Sequence, residues 1–93
     1  MFLRISTYSP GVDSLDGAIR SLHTVTQEVK TLPGLRWCAV FHEAEHGSVW
    51  LVTTWESEEA WISVQPSLEA AIGTHVSDPM ANEHSQTFLL DEV

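Results

Sequence analysis

The sequence contains very few basic residues. Arg4, Arg20, Lys30 and Arg36 are its only lysines and arginines, against 13 aspartates and glutamates, and the formal net charge is −9. Nucleic-acid binding depends on basic side chains that neutralise phosphates, and anionic membrane surfaces attract the same side chains. The composition therefore argues against nucleic acid and membrane surfaces as partners.

Cysteine and long apolar runs are also scarce. Cys38 is the single cysteine, which excludes an intrachain disulfide and is typical of a reducing compartment. The opening MFLRISTYSP lacks the apolar stretch of a signal peptide, and no run approaches the ~20 residues that span a bilayer. We therefore expect a soluble, cytoplasmic protein.

One short stretch, HEAEH at residues 42–46, matches the zinc-protease motif H-E-x-x-H. The motif binds zinc when it is helical, because residues four apart then share a face. Here aromatic and β-branched residues flank the stretch and Gly47-Ser48 follows it, a pattern typical of a strand entering a hairpin turn. In a strand the two histidines would lie roughly 13 Å apart, so we expect no metal site.

Hydrophobic periodicity predicts four strands in one domain that spans residues 1–93. The third predicted strand, VWLVTTW, is apolar on both faces, as in a strand that is covered on both sides. Strands are predicted over residues 2–8, 35–43, 49–55 and 83–93, with a loop over residues 74–82 before the last of them.

Two helices are predicted between these strands. The first has an apolar stripe at spacings of three and four, with Asp13 or Ser14 as its N-cap. The second begins at Ser57, followed by two glutamates that suit the positive end of a helix dipole. Pro66 is expected to interrupt it, so that a separate helical piece covers residues 67–74.

The resulting order, β-α-β-β-α-β, predicts an α+β, ferredoxin-like fold with a four-stranded antiparallel sheet. Two helices can cover only one face of such a sheet, and the other face still carries apolar side chains. A second copy of the chain would cover it, so we expect a homodimer in which two sheets pack into a barrel.

Two segments resemble a known family. LPGL at residues 32–35, and VWLVTTWESEEAW at residues 49–61 after the hairpin, are similar to the antibiotic biosynthesis monooxygenase domain, a dimeric α+β barrel. Members carry a Pro-Gly start to the second strand, and a strand that ends in W-x-S before an acidic helix start, which Trp55-Glu56-Ser57 matches. The resemblance covers nearly the whole chain and implies the fold, although fold does not fix activity.

The function that this resemblance implies is cofactor-independent oxygenation of a small, flat phenol or quinol, without metal or flavin. Such a pocket lies between sheet and helices, although the apolar pattern of this sequence leaves open which sheet face lines it. Histidine can act as a base, aromatic rings can stack on the substrate, and arginine can hold an oxyanion. The predicted catalytic residues are His75, Tyr8 and Ser6, and the predicted substrate-binding residues are Arg4, Trp37, Trp50 and Trp61.

Two other functions stay open. Haem-degrading members use an asparagine on the first strand and a tryptophan and a histidine on the second helix. The matching positions here are Ser6, Val64 and residues 70–72, with His75 displaced by a turn, which makes haem degradation the third interpretation. The second is a non-catalytic dimeric module that binds a small hydrophobic ligand. A pocket filled by Trp61, Leu68 and Trp37 would favour that module, whereas an open pocket with a histidine or tyrosine pointing into it would favour the enzyme.

Overall fold

The order of secondary structure elements is the predicted one. A computed structural model of the chain describes residues 1–9, 15–75 and 84–91. The elements are β1 (Phe2–Tyr8), α1 (Leu15–Val29), β2 (Leu35–Glu43), β3 (Ser48–Trp55), α2 (Glu58–His75) and β4 (His84–Leu89).

The four strands form one antiparallel sheet in the order β2-β3-β1-β4. Strands β1 and β3 are the inner pair, with Phe2 opposite Trp55 and Tyr8 opposite Val49. Directly opposed residues share a face of the sheet, so this register assigns every second residue of both strands to the same side. The predicted four-stranded α+β fold is confirmed.

Both helices pack on one face of this sheet, which we call the helix face. Its apolar side chains join those of α1 and α2 in a single core, where Leu22, Val25, Val49 and Trp55 are fully buried. The buried positions of α1 follow spacings of three and four, as the apolar stripe predicted.

The opposite face, which we call the open face, is covered by neither α1 nor α2. Trp37 and Phe41 of β2 are about half exposed, at 50% and 49%, and Phe88 of β4 is 41% exposed. Their β1 and β3 neighbours on this face include Ile5 and Val52. The open face therefore carries large apolar side chains that α1 and α2 leave partly exposed.

Helix α2 begins as predicted but continues further than predicted. The backbone amide of Ala60 donates to the Ser57 hydroxyl at 3.1 Å, which confirms Ser57 as the N-cap. Pro66 lies inside the helix and does not divide it. Its ring is on the exposed side, where water can hydrate the unpaired carbonyl, while buried Val64 and Leu68 anchor both flanks.

Two predicted boundaries near the C-terminus are also corrected. Residues 74 and 75 belong to α2, and the Thr74 hydroxyl donates to the Ala70 carbonyl at 2.9 Å. Strand β4 ends at Leu89 because Leu89 pairs with Phe2, the first residue of β1. The next residue, Leu90, donates its backbone amide to the carbonyl of Met1. The rest of the predicted loop, and both predicted N-caps of α1, Asp13 and Ser14, lie outside the described residues.

No helix in the described part of the chain is both long enough and apolar enough to cross a membrane.

Candidate functional site

A cleft of about 240 Å³ lies between the helix face of the sheet and α2. Strands β1 and β3 form its floor, and one side of α2 forms its roof. The lining residues are Arg4 and Ser6 from β1, Leu51 and Thr53 from β3, and Trp61, Gln65, Leu68, Glu69, Ile72 and Gly73 from α2.

The floor of the cleft is polar. Arg4 lies directly opposite Thr53 across the β1–β3 ladder, and Ser6 follows Arg4 on the same face. The Thr53 hydroxyl accepts a hydrogen bond from the Trp55 indole nitrogen at 2.9 Å. A hydroxyl has one hydrogen of its own to donate, so this bond fixes the Thr53 side chain and leaves its hydrogen for a ligand.

The roof is mainly apolar. Trp61, Leu68 and Ile72 lie at successive spacings of seven and four on α2, which places them on one side of the helix. Gln65 and Glu69 border the same surface, and the Gln65 amide donates to the Glu69 carboxylate at 3.1 Å. A ligand in the cleft would therefore meet apolar groups above and hydrogen-bonding groups below.

Arg4 and Trp61 connect the floor to the roof. The guanidinium carbon of Arg4 lies 4.8 Å from the centroid of the Trp61 ring, within the range of a cation–π interaction. Arg4 also donates to the Ser85 hydroxyl of β4 at 3.1 Å. Trp61 also stacks with Phe2, with ring centroids 5.2 Å apart.

The Trp61 indole nitrogen is buried and has no hydrogen-bond partner among the described residues. The indole ring is thus positioned by its contacts with Phe2 and Arg4 and not by a hydrogen bond. Ring contacts of this kind contribute about 0.5–1.5 kcal/mol each, which is enough to orient the indole.

The cleft contains two opposite charges that are kept apart. Arg4 and Glu69 are the only residues with ionisable side chains among the described residues that line it. They do not pair with each other, since the one ion pair within the described ranges joins Glu43 and His46. Instead Ser85 and Trp61 hold Arg4, and Gln65 holds Glu69.

Three of the seven predicted site residues meet in this cleft: Arg4, Ser6 and Trp61. Tyr8 lies on the same sheet face, but it is only 1% exposed and belongs to the core under the helices. It does not line the cleft. His75 is the last residue of α2, and its side chain lies outside what the structure describes.

Trp37 and Trp50 are on the open face and so do not line the cleft. In a regular ladder Trp37 would lie opposite Thr53. An irregularity between Leu35 and Trp37 shifts the register by one residue, so that Trp37 lies opposite Thr54. Trp50 lies opposite Thr7 and Phe41, which share the open face. Since alternate residues point to opposite sides of a sheet, neither indole can reach the α2 side.

Thr53, Gln65 and Glu69 line the cleft although sequence reasoning did not select them. For the α2 pair a signal existed, because Trp61, Gln65 and Glu69 are successive i, i+4 positions and share a side of the helix. For Thr53 the signal was its spacing of two from Trp55 in a strand.

The HEAEH segment has strand and turn geometry. His42 is in β2 and His46 is in the turn that follows. His46 and the Glu43 carboxylate form a hydrogen-bonded ion pair, and the Ser48 hydroxyl donates to the same carboxylate at 3.3 Å. Among the described residues, no group of three or more His, Cys, Asp or Glu side chains is arranged to hold a metal ion.

Comparison with known proteins gives matches in structure and none in sequence: no family model matches the chain, and no curated protein does so significantly. A Deinococcus radiodurans protein named as a putative antibiotic biosynthesis monooxygenase matches with a TM-score of 0.83 at 14% identity, covering 100% of this chain and 95% of that one. The chain has the antibiotic biosynthesis monooxygenase fold.

Two further structures support this statement. A protein of the same name from Nitrosomonas europaea has a TM-score of 0.72 at 10% identity over 95% of this chain and 96% of that one. A variant of MhuD with two manganese protoporphyrin IX molecules bound per active site has a TM-score of 0.78 at 17% identity, over 97% of this chain and 94% of that one. The expected resemblance to the antibiotic biosynthesis monooxygenase fold is confirmed. At sequence identities of 10–17% the similarity establishes the fold alone.

Proposed function

We propose that the protein is a cofactor-independent monooxygenase that oxidises a small, flat phenol or quinol in the cleft under α2. The observation that carries this proposal is the position of Arg4 on a polar floor, next to Trp61 and below an apolar roof. A flat ring would stack against the indole and the Leu68 and Ile72 side chains. Its oxygen would point to the floor.

Arg4 supplies the electrostatic part of the chemistry. Loss of a proton from the substrate produces an electron-rich phenolate, whose negative oxygen the guanidinium stabilises in a partly desolvated site. The Thr53 hydroxyl, fixed by Trp55, donates a second hydrogen bond. The phenolate itself then reduces oxygen, so this reaction does not require a separate redox group.

The overall reaction balances as substrate plus O₂ giving quinone plus water. In a phenol, one oxygen atom forms the new carbonyl on the ring carbon opposite the hydroxyl, whereas in a quinol it enters a free ring carbon and gives a hydroxyquinone. The other oxygen atom leaves as water with two hydrogens from the substrate, and O₂ takes up the four electrons that the ring loses.

The size of the cleft narrows the class of substrate. Ligand pockets typically measure ~300–1,000 Å³, and this cleft, with about 240 Å³, lies just below that range. Its size favours a small phenol as the ligand.

A homodimer through the open face is part of the proposal. Trp37 and Phe41 are half exposed there, beside the partly buried Trp50 and Ile5. Covering such side chains gains about 25 cal/mol for each Å² of apolar area, and a second copy of the chain provides a surface of matching shape and character.

The second candidate function is a non-catalytic dimer that binds a small hydrophobic ligand. The observation in its favour is that Tyr8, a predicted catalytic residue, is buried in the core and does not line the cleft. Against it, the cleft is open between Trp61 and Leu68 instead of being filled by them.

Oxygen uptake by the purified, metal-stripped protein tests the proposal against a panel of anthrones, naphthols and catechols with no cofactor added. We expect uptake above autoxidation by the wild type, and a loss of roughly 100-fold in Arg4→Gln, as for the loss of one oxyanion donor. Arg20→Gln on the exposed side of α1 is the control and should match wild type. Ligand binding without uptake across the panel would support the binding module instead.

A further inference from the structure

The two charges in the cleft match the two needs of a proton transfer. Removing a proton from a phenol, or from the carbon of its keto form, needs a group that accepts the proton and a group that stabilises the anion left behind. Arg4 is suited to the second task only, because a guanidinium does not give up its charge. Glu69 is the one carboxylate among the described lining residues.

We infer that Glu69 is the proton acceptor of this site, a role that rests on the proposed function. The Glu69 carboxylate takes the proton; the bonding pair stays on the oxygen of a phenol, or moves through the ring onto the carbonyl oxygen of the keto form, and in both cases that oxygen becomes the phenolate next to Arg4. Before and after the step the cleft contains one cation and one anion. The negative charge only moves from Glu69 to the substrate, so no net charge is created in the cleft.

The separation of the two side chains makes this step feasible. A carboxylate bound to the guanidinium would be a poorer base, since a neighbouring positive charge favours the ionised form of the acid. Ser85 and Trp61 hold Arg4 on the floor, while the Gln65 amide holds one Glu69 oxygen from the same helix. The second carboxylate oxygen of Glu69 has no hydrogen-bond partner within the described ranges, so in this proposal it is the oxygen that meets the substrate.

Gln65 acts in this arrangement as a positioning residue. It lies one helical turn before Glu69 and donates to Oε1 at 3.1 Å. An exposed glutamate otherwise samples many rotamers, so this bond limits the side chain to orientations along the roof of the cleft. A group that accepts a proton must be within hydrogen-bond reach of it. By restricting the Glu69 side chain, the Gln65 hydrogen bond keeps the carboxylate close to a ligand in the cleft.

Deuterium exchange into anthrone, without oxygen, tests the inference separately from oxygenation. Anthrone is the keto form of a three-ring phenol, and a base that removes its methylene hydrogen in D₂O will introduce deuterium there, as measured by mass spectrometry. We expect the wild-type protein to accelerate this exchange and Glu69→Gln to lose about 100-fold or more of that acceleration. Glu59→Gln, an exposed glutamate in the first turn of α2, should behave as wild type.

Chemical rescue distinguishes a base from a structural residue. In Glu69→Ala, added formate should restore a large part of the exchange, because the small carboxylate can occupy the vacated space, whereas it should have no effect on the wild type. Equal anthrone binding by wild type and Glu69→Gln, followed by tryptophan fluorescence, establishes that the variant is folded and has an intact cleft.

The outcomes separate the two proposals. Exchange that is unchanged in Glu69→Gln, or absent in the wild type, overturns the role of Glu69. Exchange by the wild type that depends on Glu69, combined with no oxygen uptake, supports the role of Glu69 and overturns the oxygenase. Oxygen uptake that survives in Glu69→Gln leaves the oxygenase in place and removes Glu69 as its base.

Discussion

Arg4 and Trp61 are in contact across the cleft, with the guanidinium carbon 4.8 Å from the ring centroid. Arg4 is on β1 and Trp61 is in the first turn of α2, so the contact links the helix to the sheet beside the cleft. It also orients the two groups that the proposed chemistry depends on.

A double-mutant cycle measures this contact. Arg4→Gln and Trp61→Leu should show a coupling energy of about 0.5–1 kcal/mol in urea unfolding, because a partly exposed cation–π pair contributes that much. Arg20→Gln combined with Trp61→Leu is the control, and those two changes should be additive because Arg20 is on the exposed side of α1. Additivity in the Arg4 cycle as well would mean that the contact contributes nothing to stability.

Gly34 is a residue whose replacement should be costly. It has a φ of +86°, and a Cβ placed on it would lie 2.7 Å from the Cβ of Ala60, while its carbonyl accepts from the Glu56 amide at 2.8 Å. Gly34→Ala combines an unfavourable backbone conformation with a clash, so it should reduce the free energy of unfolding by about 1–3 kcal/mol. Thermal unfolding followed by circular dichroism measures the change.

Replacement of Gly17, unlike that of Gly34, should stabilise the protein. Gly17 lies in α1, where an added Cβ would meet nothing within 4 Å, so Gly17→Ala should raise the free energy of unfolding by about 0.5–1 kcal/mol. If Gly34→Ala proved as stable as Gly17→Ala, the turn between α1 and β2 would have a different geometry from the one described.

Cys38 should react slowly with alkylating reagents. Burial raises the pKa of its thiol, and Lys30 only partly opposes that effect. Because the thiolate is the reactive form, iodoacetamide at pH 8 should modify the folded protein more slowly than the urea-unfolded protein, with mass spectrometry as the readout. Equal rates in the two states would contradict the desolvated position of the thiol.

The raised pKa of Cys38 also makes the free energy of unfolding depend on pH. The folded state keeps the Cys38 proton to a higher pH than the unfolded state does, so the contribution of Cys38 is complete below the unfolded-state pKa. As pH rises through and above that value the unfolded chain ionises first, and stability decreases. Cys38→Ala should remove this part of the alkaline loss.

The open face should control the oligomeric state. Phe41→Glu places a charge at a half-exposed position of that face, beside Trp37 on β2, and sedimentation velocity should detect monomers where the wild type sediments as a dimer. Ile62→Glu is the matched control, since Ile62 is similarly exposed, at 51%, but lies on α2. A monomeric wild type, or a dimeric Phe41→Glu, would show that this face does not mediate self-association.

The sequence was most informative where the signal is local. Strand alternation, the apolar stripe of α1 and the Ser57 N-cap depend on neighbours within a few residues, and all three are present. Pro66 is the exception, because its local preference against a helix is outweighed by burial of Val64 and Leu68 on both sides of it.

The site was harder to predict from the sequence because it depends on how the strands are paired. Arg4 meets Thr53 only through the β1–β3 pairing, and Trp37 is on the open face because of the irregularity before it in β2. Both faces of these strands carry apolar residues, so the sequence pattern alone could not show which residues face the helices and which face away from them. Glu69 was missed because an exposed glutamate on a helix usually has no role beyond solvation.

The most direct test of the oxygenase is isotopic. Wild-type protein, stripped of metal and without added cofactor, would be incubated with a phenol that it binds under ¹⁸O₂ in ordinary water, and the quinone would be analysed by mass spectrometry after rapid quenching. Cofactor-independent monooxygenation predicts one ¹⁸O atom in each quinone, formed faster than in the absence of protein and lost in Arg4→Gln. A quinone with only ¹⁶O, or no product above the protein-free rate, would contradict it.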